Sequence, residues 1–169
     1  MTISMYSASL PVYAHTLANL ERILDKAEAN ALARKFDPAV LLATRLAPDM
    51  LPLTKQVQIA CDAAKLSVAR LAGIESPKFE DNEASIADLK ARVRKTLEFL
   101  QTVPAEKVDG SEAREVRVPR RDGEMKFDGE TYLKHYALPN FFFHVTTTYA
   151  LLRHNGVDLG KADYLGALQ

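Results

Sequence analysis

Apolar residues along most of the chain recur every three or four positions, the period of a helix that buries one face. Leu10, Leu17, Leu20 and Leu24 set this rhythm in a first segment from Ser4 to Ala33. Pro11 marks a kink or the start of the regular part, with Ser9 near the cap. Asp37-Pro38 reads as a cap followed by proline in the first turn, opening a short helix or turn over Ala39–Leu46. A second long helix is predicted over Asp49–Ala72, where Met50, Leu53, Val57, Ala60, Ala64, Val68 and Leu71 keep the spacing. Gly73 stands where a C-terminal cap belongs. Ile59 and Leu66 fall on its far side, so this helix is covered on more than one face.

A loop with Pro77 leads to a third helix over Ser85–Val103, capped by Asn82 or Ser85. Ile86, Leu89, Val93, Leu97 and Leu100 form its stripe, and Lys90, Arg92, Arg94 and Lys95 are expected on a solvated outer face. The period then falls to two. Val116 and Val118 alternate with Glu115 and Arg117, Asp122-Gly123 is a hairpin-turn dipeptide, and Met125 and Phe127 alternate on the return. Strands are predicted over Arg114–Pro119 and Glu124–Asp128. Two strands alone are marginal, so the hairpin should lie against the helices. A last helix is predicted over Glu130–Asn155, kinked or divided at Pro139 and stopped by Gly156. The tail, Val157–Gln169, keeps Leu159, Tyr164 and Leu165 for packing on the surface or against a second subunit. The fold expected is mainly α: a single domain over residues 1–169, a four-helix bundle with a small β-hairpin between the third and fourth long helices.

Composition narrows the function classes. Lys plus Arg equals Asp plus Glu at 22 each, a net charge of zero that argues against nucleic-acid binding and against attraction to anionic membranes. Cys61 is the single cysteine, which fits a reducing compartment, and its core-side position marks a small buried hydrophobe. The opening residues, MTISMYSASLPVYAH, lack a basic region followed by an apolar run, and no stretch has the length of a membrane span. A cytoplasmic address is therefore expected. Nucleotide-binding glycine loops, serine-hydrolase elbows and H-E-x-x-H are absent from the sequence.

Candidate chemistry lies in LPNFFFHVTTTYALLRHNG, residues Leu138–Gly156. Leu133, Ala137, Asn140, His144, Thr147 and Leu151 form one stripe whose ends are apolar and whose middle is Asn–His–Thr. Polar groups there must be hydrogen-bonded or bound to something. Asn140 and His144 are one turn apart, a spacing that places two metal ligands when both are histidine. A carboxamide is a poor ligand for zinc or nickel. An internally satisfied His–Asn pair that fixes helix register is favoured over a divalent cation held by His144 and weakly by Asn140, because one good ligand does not make a site. Gln56, Gln58 and Asp49 on the second helix are further candidates to face the pocket. Asp49 is equally explained as a first-turn acid favoured by the helix dipole. His15, His135 and His154 are weaker, with His154 expected to cap the last carbonyls. Phe141, Phe142 and Phe143 read as core packing plus a subunit contact.

The order of three helices, hairpin and a helix bearing FFFHVTTTYALLRHNG resembles the DinB/YfiT-like bundle superfamily. The stretches DPAVLLATRLAPDMLPLTKQVQIACDAAK, LPNFFFHVTTTYALLRHNG and VDLGKADYLG resemble an uncharacterised bacterial domain-of-unknown-function family (family 1993) within it. Metal-binding members of the superfamily carry one histidine on the second helix and H-x-x-x-H on the last. Leu152-Arg153 and Gly156 match the residues downstream of that motif, which places its second histidine on His144 and its first on Asn140. The second-helix histidine falls near Gln56 or Gln58. The resemblance thus implies the fold and one ligand of three. Its thiol-cofactor-dependent transferases and isomerases need ligands that this chain lacks. Three readings follow. The chain is a metal-free bundle, with no cofactor, that binds a small molecule or serves as a homodimeric scaffold. Alternatively it is a divergent zinc- or nickel-dependent transferase or hydrolase using His144, with Asn140 and Asp49. The third is partner binding through Phe141–Phe143 and the tail.

Overall fold

A computed structural model of the chain describes residues 3–167; the first two residues and the last two of the predicted tail lie outside it. Four long helical runs form the bundle: α1 (Leu10–Ala33), α3 (Leu53–Ala72), α4 (Ile86–Gln101) and a composite last run. The short α2 (Ala39–Leu42) and α5 (Ala105–Val108) sit in the connections. β1 (Val116–Arg120) and β2 (Gly123–Phe127) make the antiparallel hairpin, with Val116 opposite Phe127 and Val118 opposite Met125. The last run comprises α6 (Gly129–Tyr132), a π-helical segment (Leu133–Ala137) and α7 (Leu138–His154). A final turn of helix, α8 (Lys161–Leu165), lies on α1. The expected fold class is the observed one.

The core is built as the apolar spacing requires. Tyr13, Leu17, Leu20 and Leu24 of α1, Val57, Ala60, Ala64 and Leu71 of α3, Leu89 and Val93 of α4, and Phe141, Leu151 and Leu152 of α7 are fully buried. Burial of each valine, leucine and phenylalanine among them contributes about 1.5–3 kcal/mol. α3 is the central helix, packed against α7, α4 and α1.

Helix boundaries follow local chemistry. Ser9 precedes α1 without capping it; its hydroxyl donates back to the Met5 carbonyl at 2.6 Å. The start of α3 is a correction: the helix begins at Leu53, not Asp49. Pro52 disfavours the helical region for Leu51 and is itself extended, with ψ 166°. α2 ends at Leu42, four residues short of the prediction. Gly73 closes α3 in the left-handed region at φ 66°, as expected. Ser85, rather than Asn82, caps α4, its oxygen accepting from Asp88 N at 3.1 Å. The hairpin turn is Arg121-Asp122, one residue earlier than predicted, with Gly123 opening β2 at φ 136°.

Pro139 divides the last run by a specific device. Proline has no N–H to give to the carbonyl four residues back, and its ring crowds that carbonyl. The backbone answers by widening to π geometry over Leu133–Ala137, just before the proline. No helix is long and apolar enough to cross a membrane among the described residues. The described part of the tail packs on its own chain. Asn19 Nδ2 donates to the Tyr164 carbonyl at 3.1 Å, and Lys26 pairs with Asp163 at 2.7 Å.

Candidate functional site

The packing of α7 on α3 sets two polar side chains face to face. Gln56 is 2% exposed and His144 8% exposed, and His144 Nδ1 lies 2.7 Å from Gln56 Oε1. Gln56 Nε2 donates to the Leu51 carbonyl at 3.0 Å, which turns the carboxamide oxygen toward the ring. His144 therefore donates from Nδ1, and its lone pair is on Nε2. Burial holds the imidazole below its ordinary pKa, so it is neutral at pH 7. Phe143 stands edge-on to the ring, centroids 5.2 Å apart.

The neighbouring hydroxyls are already used. Thr147 Oγ1 donates to the Phe143 carbonyl at 2.7 Å and Thr148 Oγ1 to the His144 carbonyl at 2.9 Å. Thr147 is buried as predicted, but its hydroxyl serves the backbone. Asn140 is half-buried and takes no part in the His144–Gln56 pair. Gln58 is buried on another side of α3, where Nε2 donates to Glu83 Oε2 at 2.6 Å. Asp49 is exposed in the turn before α3. Of the six sequence candidates, the structure brings Gln56 and His144 into contact and places Gln58 and Asp49 elsewhere. The His–Asn pair expected from the stripe is a His–Gln pair between helices, because α3 offers His144 an acceptor at the right level.

The remaining histidines and Cys61 hold ordinary roles. His15 Nε2 bonds the Leu165 carbonyl at 2.6 Å, while His135 and His154 are exposed. Asn155, not His154, closes α7: its Nδ2 donates to the Leu151 carbonyl at 2.7 Å. Cys61 is fully buried and burial pushes its thiol up to about 12, so it is no nucleophile at neutral pH. The phenylalanine run divides as expected for its core part: Phe141 is buried edge-on against Tyr13, while Phe143 is 56% exposed.

The superfamily's metal does not fit these residues. The three ligand positions hold one imidazole and two carboxamides, and the oxygen of Gln56 is committed to Nδ1 of the one good ligand. No group of three or more His, Cys, Asp or Glu side chains is placed to hold a metal ion among the described residues.

Asn140 instead lines a crevice of about 220 Å³ between α3, β1 and the π segment. Ile59, Ala63 and Leu66 form its floor and Val118 and Pro119 its roof. Tyr132 and Tyr136, stacked with centroids 5.8 Å apart, form the wall that continues to Asn140. Arg70 closes one end, its Nη1 donating to Tyr132 Oη at 3.0 Å. Sequence reading missed this constellation. Tyr132, Tyr136 and Asn140 are spaced i, i+4, i+8, a signal that was available.

A second omission is Arg92, expected on the solvated face of α4 and found 2% exposed. It is held by Glu83 at 2.8 Å, Asp81 at 3.0 Å and Asp62 at 3.1 Å. Lys65, also buried, pairs with Asp62 at 2.9 Å. Burial raises the Glu83 carboxyl, but hydrogen bonds from Arg92 and Gln58 outweigh it and hold its pKa below the ordinary value. Arg92 continues the Leu89–Thr96–Leu100 spacing, and the acidic loop 79–83 supplies its partners.

Comparison with known proteins places the chain. Residues 5–165 match a family described as a domain of unknown function (DUF1993). The chain belongs to that family. A crystal structure of a DinB family member protein from Shewanella denitrificans superposes with a TM-score of 0.89 at 40% identity, covering 96% of this chain and 92% of that one. This DUF1993 chain is thus a DinB-like helical bundle, as the sequence resemblance implied. No curated protein sequence matches it.

Proposed function

We propose that this chain is a metal-free DinB-like bundle that binds a small molecule in the crevice between α3, the hairpin and the π segment. The observation that carries the reading is the 2.7 Å bond between His144 Nδ1 and Gln56 Oε1. It commits His144 to Gln56, one of the two second-helix residues at which the missing ligand could fall, and Asn140, at the remaining position, lines a small crevice of apolar and aromatic side chains with a few polar groups. A cofactor is not required for such a role. The neutral overall charge supports a small-molecule partner over nucleic acid or membrane. A cytoplasmic setting is part of the proposal, supported by the single buried thiol.

Elemental analysis of untagged protein purified without added metal tests the metal-free part. The expected result is zinc and nickel at a small fraction of the chain concentration. Stoichiometric metal that is lost in His144→Ala would establish the competing reading, a divergent metal-dependent transferase or hydrolase.

A dimeric scaffold is a second reading, favoured by one observation. Phe143, Leu46 and Met50 line an almost wholly apolar groove beside His144, and Leu51 nearby is 45% exposed. Light scattering at micromolar concentration is expected to give the mass of two chains; a monomer would remove this reading.

A further inference from the structure

We infer that the crevice selects a small monocarboxylate, its carboxylate on Arg70 and its apolar body along the two tyrosines; this rests on the crevice being a binding site. The charge balance of the crevice carries the argument. Asp62, which also lines it, is already paired with Arg92 and Lys65. Arg70 is the cation among the residues that line the crevice, and it differs from Arg92 beside the crevice, which has carboxylate partners. Its polar partner is the Tyr132 hydroxyl, and its guanidinium lies 5.8 Å from the centre of that ring. No carboxylate pairs with Arg70 among the described residues. The crevice thus contains one half-buried cation without a counter-charge, and a guanidinium presents paired donors that match a carboxylate.

Helix direction places the rest of the ligand. Tyr132 meets Arg70 and His144 meets Gln56, so α3 and the last run are antiparallel. Asn140 therefore lies toward the Ile59 end of the crevice, roughly 12 Å along the last helical run from Tyr132, which meets Arg70, at 1.5 Å per residue. Between these ends the lining is Ala63, Leu66, Pro119 and Tyr136, an apolar and aromatic path broken by Asp62, whose carboxylate is paired with Arg92 and Lys65. The matching ligand has an acid group at one end, an aromatic or aliphatic body, and a hydrogen-bonding group that reaches the Asn140 carboxamide. A single unpaired cation suits a monoanion better than a phosphate dianion, which would call for more positive charge.

The test uses the full chain and two probes, 3-(4-hydroxyphenyl)propionate and its primary amide, followed by calorimetry and by amide chemical shifts. The acid is expected to bind at least about tenfold more tightly than the amide, the worth of a charge-assisted bond. Shifts at Tyr136 and Asn140 should accompany binding, and added salt should weaken it. Arg70→Gln is expected to abolish the preference for the acid and Arg70→Lys to retain part of it. Equal binding of acid and amide by the wild-type chain would overturn the charge selection and leave the crevice a binding site. Failure of both probes to bind at millimolar concentration would overturn the inference together with the reading on which it rests. The wild-type comparison decides the matter even if Arg70→Gln does not fold.

Discussion

His144 donates its Nδ1 proton to Gln56 Oε1 across 2.7 Å of the α3–α7 interface. Both side chains are buried, so removing Gln56 leaves the Nδ1 proton of His144 without an acceptor, and removing His144 leaves the Gln56 Oε1 without a donor, in a dry place. Gln56→Leu is expected to cost about 1–3 kcal/mol, the penalty for an orphaned buried polar group. Urea unfolding monitored by circular dichroism checks it. A change below a few tenths of a kcal/mol would mean that the pair contributes nothing to stability.

The same imidazole makes stability pH-dependent. Burial holds its folded pKa below the unfolded value of about 6.5. The unfolded chain then binds more protons than the folded one, so the contribution of His144 is fully present above about pH 6.5 and declines as pH falls through the depressed folded value. Urea midpoints are expected to drop between pH 7.5 and pH 5, and His144→Gln should flatten that part of the profile. Gln56→Glu reverses the sign. A carboxylate beside the ring raises the folded pKa, and the added stability is then present at low pH and lost as pH rises. Identical profiles for wild type and His144→Gln would assign the slope to other groups.

The fold should accept a metal once imidazoles replace the two carboxamides. Gln56→His combined with Asn140→His supplies three imidazoles at the positions the superfamily uses, two of them one helical turn apart. The double variant is expected to purify with zinc or nickel close to one equivalent, where the wild type contains a small fraction. If the variant folds and stays metal-free, the helix spacing itself, and not the two carboxamides, would be responsible.

Most of the architecture was legible because burial of one helix face imposes a period that the leucines display. The inward direction of His144 followed from the same period. Its partner did not, since spacing along one helix is silent about which level of a neighbouring helix it meets. Gln56 and Gln58 are two residues apart and turn to different sides, and only the packing of α7 and the loop 79–83 decides which meets His144. Arg92 was misread for a related reason. A charged residue on an apolar stripe is taken as solvated unless its counter-charges are visible, and those of Arg92 come from α3 and from the loop that leads into α4, neither of which lies on its own helix. The shifted starts of α3 and the hairpin turn reflect competition among nearby residues for the same boundary.

Arg92 gives a prediction of its own. Arg92→Met removes the cation from three carboxylates, of which Glu83 is 7% exposed while Asp62 and Asp81 reach solvent. Breaking one side of a buried pair costs about 3–5 kcal/mol, and the partial exposure of two partners argues for the lower end. Arg94→Ala, on the exposed neighbouring pair with Glu21, is expected to change stability by less than about 0.5 kcal/mol. Thermal denaturation of the two variants side by side checks the contrast, and equal effects would refute the assignment of Arg92 to the core.

Gly129 joins the hairpin to the last helical run and lies buried against the backbone of the loop at Ser111 and Glu112. A Cβ added there would overlap the Ser111 carbonyl oxygen, which belongs to the main chain and cannot rotate away. The adjacent bond from Glu130 N to the Glu112 carbonyl, 3.0 Å long, ties the same two segments together. Gly129→Ala therefore forces the hairpin and α6 off this loop, with an expected cost of about 1–3 kcal/mol or more. Gly160→Ala is the matched control: its φ is −124° and a Cβ meets nothing within 4 Å. That substitution should change stability by less than about 1 kcal/mol, the gain through the unfolded chain being offset by the preference for glycine over alanine at the N-cap of α8. Because the displaced segments include Tyr132 and the roof of the crevice, Gly129→Ala should also weaken binding of the carboxylate probe, and Gly160→Ala should leave it unchanged. A Gly129→Ala variant with wild-type stability and wild-type probe affinity would show that the contact between the hairpin exit and the loop does not hold the crevice in shape.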